Sequence, residues 1–169
     1  MSRISPQALC LAIEKTRAMN DVQKEVLADE LFHRQPNMLG SFLVQRQMGV
    51  SMEKMAFLMD ILFICFQAMK ESGLQWPLIT EDEQDRQLTR YVAAVKFGED
   101  LAPADRDRAM NQYIKKHPEQ DLLAFVTTET ASWLTRIIPE ETDKYVMLAA
   151  ANLVNCIAFV PLPASKHRK

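Results

Sequence analysis

Residues 55–66 read MAFLMDILFICF, an apolar run broken by a single carboxylate, Asp60. On a helical wheel at about 100° per residue, Asp60 falls in line with Glu53 and Gln67 and close to Glu71. The rest of the circumference is almost wholly apolar, from Met52, Met55 and Met59 to Phe57, Phe63 and Phe66. The pattern predicts a helix packed on nearly every side and wetted along one thin seam. An unpaired buried carboxylate would cost several kcal/mol or take up a proton, so the seam is expected to reach water or a basic partner.

The same combination of periodicity and punctuation predicts about eight helices along the chain. Ser5 and Pro6 open the first, which runs to about Met19, and Asn20 and Asp21 open the second, which ends before Pro36. A short third helix starts near Asn37 and stops at Gly49, and the long fourth runs from Ser51 to Gly73. After the connector LQWPLIT, Thr80 and Glu83 have the spacing of a capping box. Leu88, Tyr91, Val92 and Val95 then mark one face of a fifth helix that closes at Gly98. The sixth is expected from Pro103 to Lys116 with Met110, Tyr113 and Ile114 inward; Pro118 and Pro139 introduce the seventh and eighth.

No segment alternates as a strand does, and four glycines are too few for the turns of an all-β chain. The expected fold class is all-α: a compact single-domain bundle over residues 1–163, helices 4 and 8 at its centre. A basic, frayed tail is expected at 164–169. RAMN at 17–20 recurs at 108–111, each copy ahead of a proline-started helix, which raises two pseudo-repeated helical halves as an alternative. The spacing to the next proline differs, from 20 to 36 in one copy and from 111 to 118 in the other, whereas true repeats keep their period.

Composition narrows the function classes. An apolar content of 48% with 25% charged residues belongs to a folded chain. A net charge of −2 supplies no field for a polyanion, so no nucleic-acid partner is expected. The longest nearly apolar stretch, 145–160, is interrupted by Asn152 and Asn155 and falls short of the ~20 residues that span a bilayer. Cys10, Cys65 and Cys156 lie far apart in apolar surroundings, as reduced core thiols do. With no basic-then-apolar leader at the N-terminus, a soluble cytoplasmic protein is expected.

Candidate chemistry is sparse. Glu129 projects between Leu122 and Phe125 on the inward arc of helix 7, where Ser132 and Arg136 could satisfy it. Asn152 and Asn155 share one side of helix 8 with Glu141 and Lys144, and buried amides need partners for both atoms. Glu30-x-x-His33 has the spacing of a carboxylate-bridged metal site but lacks the second copy such bundles require; no metal is expected. His117, ahead of Pro118, suits a core or capping role. Nucleophile elbows and glycine-rich phosphate loops are absent, so no cofactor is expected.

The expected function is therefore a non-enzymatic interaction or regulatory protein. It would bind a protein partner, or a second copy as a homodimer, through an apolar helical groove. Methionine-rich surfaces adapt to partner helices, which makes Met52, Met55, Met59, Phe63 and Phe66 the candidate surface. The alternative is a small-ligand or hydrolytic pocket between helices that gathers Asp60 and Glu129 with His117, Asn152 and Asn155.

Overall fold

The structure, a computed structural model, describes residues 1–164 and is all-helical, with no strand among those residues. The helices are α1 (Pro6–Ala18), α2 (Asp21–Arg34), α3 (Pro36–Gln47), α4 (Met52–Glu71), α5 (Glu81–Glu99), α6 (Pro103–Lys116), α7 (Gln120–Leu134) and α8 (Asp143–Phe159). Their starts are chemically marked. The side chains of Ser5, Ser51 and Thr80 accept hydrogen bonds from the amides of Ala8, Lys54 and Glu83, each relieving a donor the helix cannot use. The reciprocal capping box lies at Asn20 and Gln23, where both bonds are 2.9 Å. At Thr80 only half of the expected box forms, because the buried Glu83 carboxylate turns to Arg86 and Gln87 instead. Gly49 (φ 91°) and Gly73 (φ 68°) follow α3 and α4 in the left-handed conformation that side chains resist.

Helix α4 is the hub, packed against α1, α2, α3, α7 and α8, and the buried α8 lies beside it. The seam predicted on α4 is real. Glu53 and Asp60 are exposed, whereas Gln67 is buried and donates to Glu71, which in turn pairs with Lys15 of α1 at 2.6 Å. That lysine holds the Glu71 carboxyl below its ordinary pKa. Phe57 stacks flat on Trp133 at 4.6 Å and ties α4 to α7.

Three expectations are corrected. Met55, Phe63 and Phe66 are buried in the chain's own core and Met59 is half-buried, so of the five proposed surface residues only Met52 is exposed. Cys10 is exposed, while burial pushes the Cys65 and Cys156 thiols up to about 12. Met110 faces outward and α6 buries no residue, because α5 and α6 flank the bundle rather than enter it. The two RAMN copies also occupy different settings. One straddles the α1–α2 junction and the other sits within α6, so the tetrapeptide marks no repeated unit. The basic residues 166–169 lie outside the described residues.

Two polar devices lock the periphery. Lys54, at the head of the buried row Leu58, Ile61 and Cys65, reaches Asp143 at 2.6 Å, Glu140 at 2.7 Å and the carbonyl of Ile138 at 2.8 Å. Burial works against its charge, but these partners outweigh that and raise its pKa. At the N-terminus, Arg3 donates to the carbonyls of Ile157 and Val160 at the end of α8, while its own amide donates to Glu119 at 2.6 Å.

Candidate functional site

Two clefts flank the α5–α8 pair. Gln84 meets Asn152 and, six residues on, Arg90 meets Phe159, so the two helices run in the same direction. The first cleft, about 430 Å³, opens between α3, the first turns of α5, and α8. The second, about 460 Å³, lies between α5, α6 and α8. Both volumes fall in the range of ordinary ligand sites.

The second cleft holds two residues predicted from sequence, His117 and Asn155, together with Tyr113. Its floor is chemically closed. His117 Nδ1 accepts from the Glu119 amide at 3.1 Å, which leaves the ring proton on Nε2 to donate to Asn155 Oδ1 at 3.0 Å. The Tyr113 hydroxyl donates to the same oxygen at 3.3 Å. With both ring nitrogens engaged, His117 has no lone pair to take a substrate's proton. Glu119 is fully buried; burial pushes its carboxyl up, against the amides of Arg3 and Ile4 and the Arg3 charge, which pull it down. These groups form a structural bracket between the N-terminal segment, the α6–α7 junction and α8.

That bracket has a pH signature. Burial holds the His117 imidazole below its ordinary 6.5, only partly offset by its bonds to Asn155 and Glu119. Above that value neither folded nor unfolded chain carries the proton, and the contribution is complete. As pH falls below it, the unfolded chain protonates first and stability drops until the folded imidazole also titrates. The melting temperature is expected to fall as pH drops below about 6.5, and His117→Gln to flatten that slope. Parallel slopes in thermal melts of the two proteins across this window would show that another group is responsible.

The first cleft is built differently. Its α3 wall carries Gly40, Val44 and Met48 at successive helical turns, and Val44 and Met48 are exposed. A Cβ placed on Gly40 meets nothing within 4 Å. The only ionised side chains among its lining residues are the carboxylates Glu81 and Asp85, at the start of α5. Three helices each leave one buried amide atom here without a partner: Gln45 Oε1 from α3, Gln84 Nε2 from α5 and Asn152 Oδ1 from α8. One other such atom occurs among the described residues, on Thr16. A buried polar atom left unpaired costs about 1–3 kcal/mol, and three of the four such atoms among the described residues belong to residues that line this cleft.

The sequence-derived candidates thus separate. Asn152 lines the first cleft, and His117 and Asn155 the second. Asp60 is exposed on α4, and Glu129 is half-buried and pairs with Arg17 of α1 at 3.3 Å, rather than with Ser132 or Arg136. Neither carboxylate lines either cleft, so the two do not converge. His33 pairs with its helical neighbour Asp29, and no cluster of metal-ligating side chains occurs among the described residues. Gln45 was legible in principle: it continues the spacing of the buried Met38 and Phe42 along α3, a polar residue on a core face. Lys54 gave the same signal on α4, whereas its partner Asp143 is distant in sequence. No helix of the described residues is long and apolar enough to cross a membrane. No protein-family model, curated protein or solved structure matches the chain.

Proposed function

We propose that the protein is a non-catalytic interaction module that holds an amphipathic helical segment of a partner protein in the α3–α5–α8 cleft. The observation that carries this reading is the cleft itself, about 430 Å³ between α3, α5 and α8, lined mainly by apolar side chains and bordered by the exposed Val44 and Met48. The second cleft, by contrast, has no buried side-chain polar atom without a partner among the described residues. The rim adds apolar area for a partner to cover. Val44 and Met48 are the exposed apolar side chains of its α3 wall. Charge selects the occupant, since Glu81 and Asp85 stand at one end with no lining cation, which favours a segment flanked by lysine or arginine.

A designed helix of leucine and lysine, apolar along one face, is the probe. Its binding, followed by fluorescence anisotropy, is expected in the micromolar range and to weaken at least about tenfold in Gly40→Arg. That variant fills open space, replaces a helix-interior glycine and adds a repelling charge at the cleft mouth, so the fold itself should tolerate it. Equal binding by wild type and variant would sink the reading, as would no binding at all. A second copy is the competing occupant. Light scattering that gives twice 19.4 kDa, with dissociation in Gly40→Arg, would assign the cleft to self-association instead.

A further inference from the structure

We infer that the second cleft, between α5, α6 and α8, binds a small aromatic anion, its acidic head on Arg90 and Lys116 and its ring between the helices. The first cleft and its partner helix are not involved. The bracket of His117 and Asn155 closes only the floor, and the walls above it enclose about 460 Å³. Those walls carry two cations, Arg90 and Lys116, and no carboxylate, in a chain whose net charge is −2. Both cations are exposed, and neither forms an ion pair among the described residues. The charge here is opposite in sign to that of the first cleft, where Glu81 and Asp85 stand.

Arg90 is held in place before any ligand arrives. Its guanidinium lies over the Phe159 ring, 4.8 Å from the centroid, and one nitrogen donates to Gln87 Oε1 at 3.3 Å. Gln87 is buried and fixed in turn, its Nε2 donating to Glu83 at 2.7 Å. The Glu83 carboxylate is also paired with Arg86 at 2.8 Å, which offsets its repulsion of an anion. A carboxylate or phosphate thus meets an oriented fork that has little side-chain freedom left to lose. Tyr91 and Tyr113, with ring centroids 6.1 Å apart, supply aromatic walls, and the small Ala94 and Ala109 leave room between α5 and α6. Burial raises both phenols above their ordinary pKa, so they keep their protons and add no negative charge. A cation would meet Arg90 and Lys116 as repulsion. An anion without a ring would gain only exposed charges, which water screens.

The probes are phenylacetate, phenethylamine and acetate, titrated into ¹⁵N-labelled protein and followed by amide shifts. Phenylacetate is expected to bind with a Kd on the order of 1 mM and to move resonances around residues 90–94, 109–117 and 155–159. Phenethylamine and acetate are each expected to bind there at least about tenfold more weakly. Phenyl phosphate in the same titration tells which acidic head the site prefers. The double variant Arg90→Met, Lys116→Met removes both charges from exposed positions and keeps unbranched stems, so the fold should tolerate it. It is expected to bind phenylacetate at least about tenfold more weakly while melting near wild type. Ala109→Leu, at an exposed position of α6, narrows the cleft and leaves the charges alone. It should weaken phenylacetate without changing the response to acetate.

Equal binding of phenylacetate and phenethylamine at this cleft overturns the inference, as does full phenylacetate affinity in the folded double variant. Phenylacetate shifts confined to residues 37–48 and 81–88 overturn it too, since they would put the ring in the first cleft. Should the double variant fail to fold, the wild-type series and Ala109→Leu still decide. No shift at about 10 mM phenylacetate sinks the anion site and leaves the partner helix of the first cleft untouched. Loss of the leucine–lysine helix from the first cleft, with phenylacetate still bound here, does the reverse.

Discussion

Phe66→Ala is expected to remove about 3–5 kcal/mol of folding stability, a large share of the 5–15 kcal/mol that such domains possess. The ring is only 2% exposed and sits on the helix that five others surround. Neighbours held on so many sides cannot collapse into the space it leaves, so the cavity cost adds to the lost burial. Asp60→Ala, on the same helix, is the internal control. Its side chain is exposed and makes no hydrogen bond or ion pair within the described residues, so the change should stay within about 0.5 kcal/mol. Urea denaturation of both variants measures the contrast. Comparable midpoints for the two would mean that residues 55–66 do not form the core.

Glu119→Ala ranks second, at about 2–5 kcal/mol, for a polar rather than an apolar reason. The carboxylate is wholly buried, and its two oxygens accept from the amides of Arg3 and Ile4 at 2.6 and 3.2 Å. Alanine would orphan both amides, and Ile4 is itself buried, so water cannot readily replace what is lost. The N-terminal segment should then loosen, and with it the Arg3 bonds that satisfy the last carbonyls of α8. Glu119→Gln keeps one acceptor but turns an NH₂ toward the other amide, so it should fall between alanine and wild type. Hydrogen exchange at Arg3 and Ile4 is the specific readout. Their amides should exchange much faster in Glu119→Ala; unchanged protection would contradict the bracket.

The contrast between the two sites shows what could be read before the fold was known. Caps, breakers and periodicity act within a few residues, and for that reason the eight helices, their ends and the dominance of α4 and α8 were legible. Asp60 was correctly placed on a seam open to water, because a wheel needs only the spacing along one helix. Where the reasoning needed a neighbour it failed. The methionine- and phenylalanine-rich face of α4 looks the same whether a partner or the chain's own helices cover it, and here α1, α2, α3, α7 and α8 do so. Glu129 takes Arg17 from across the bundle instead of a residue on its own helix.

What the chain determined alone is its local grammar: where helices start and stop and which faces are apolar. Only the packing of helices decided which polar side chains are answered and which are not. Asn152 and Asn155 are three residues apart on one helix, yet Asn155 finds His117 and Tyr113 while the Asn152 oxygen finds no partner. The reason is geometric. A hydrogen bond depends on two atoms meeting within about 3 Å, and those atoms come from segments tens of residues apart, whose meeting no local pattern encodes.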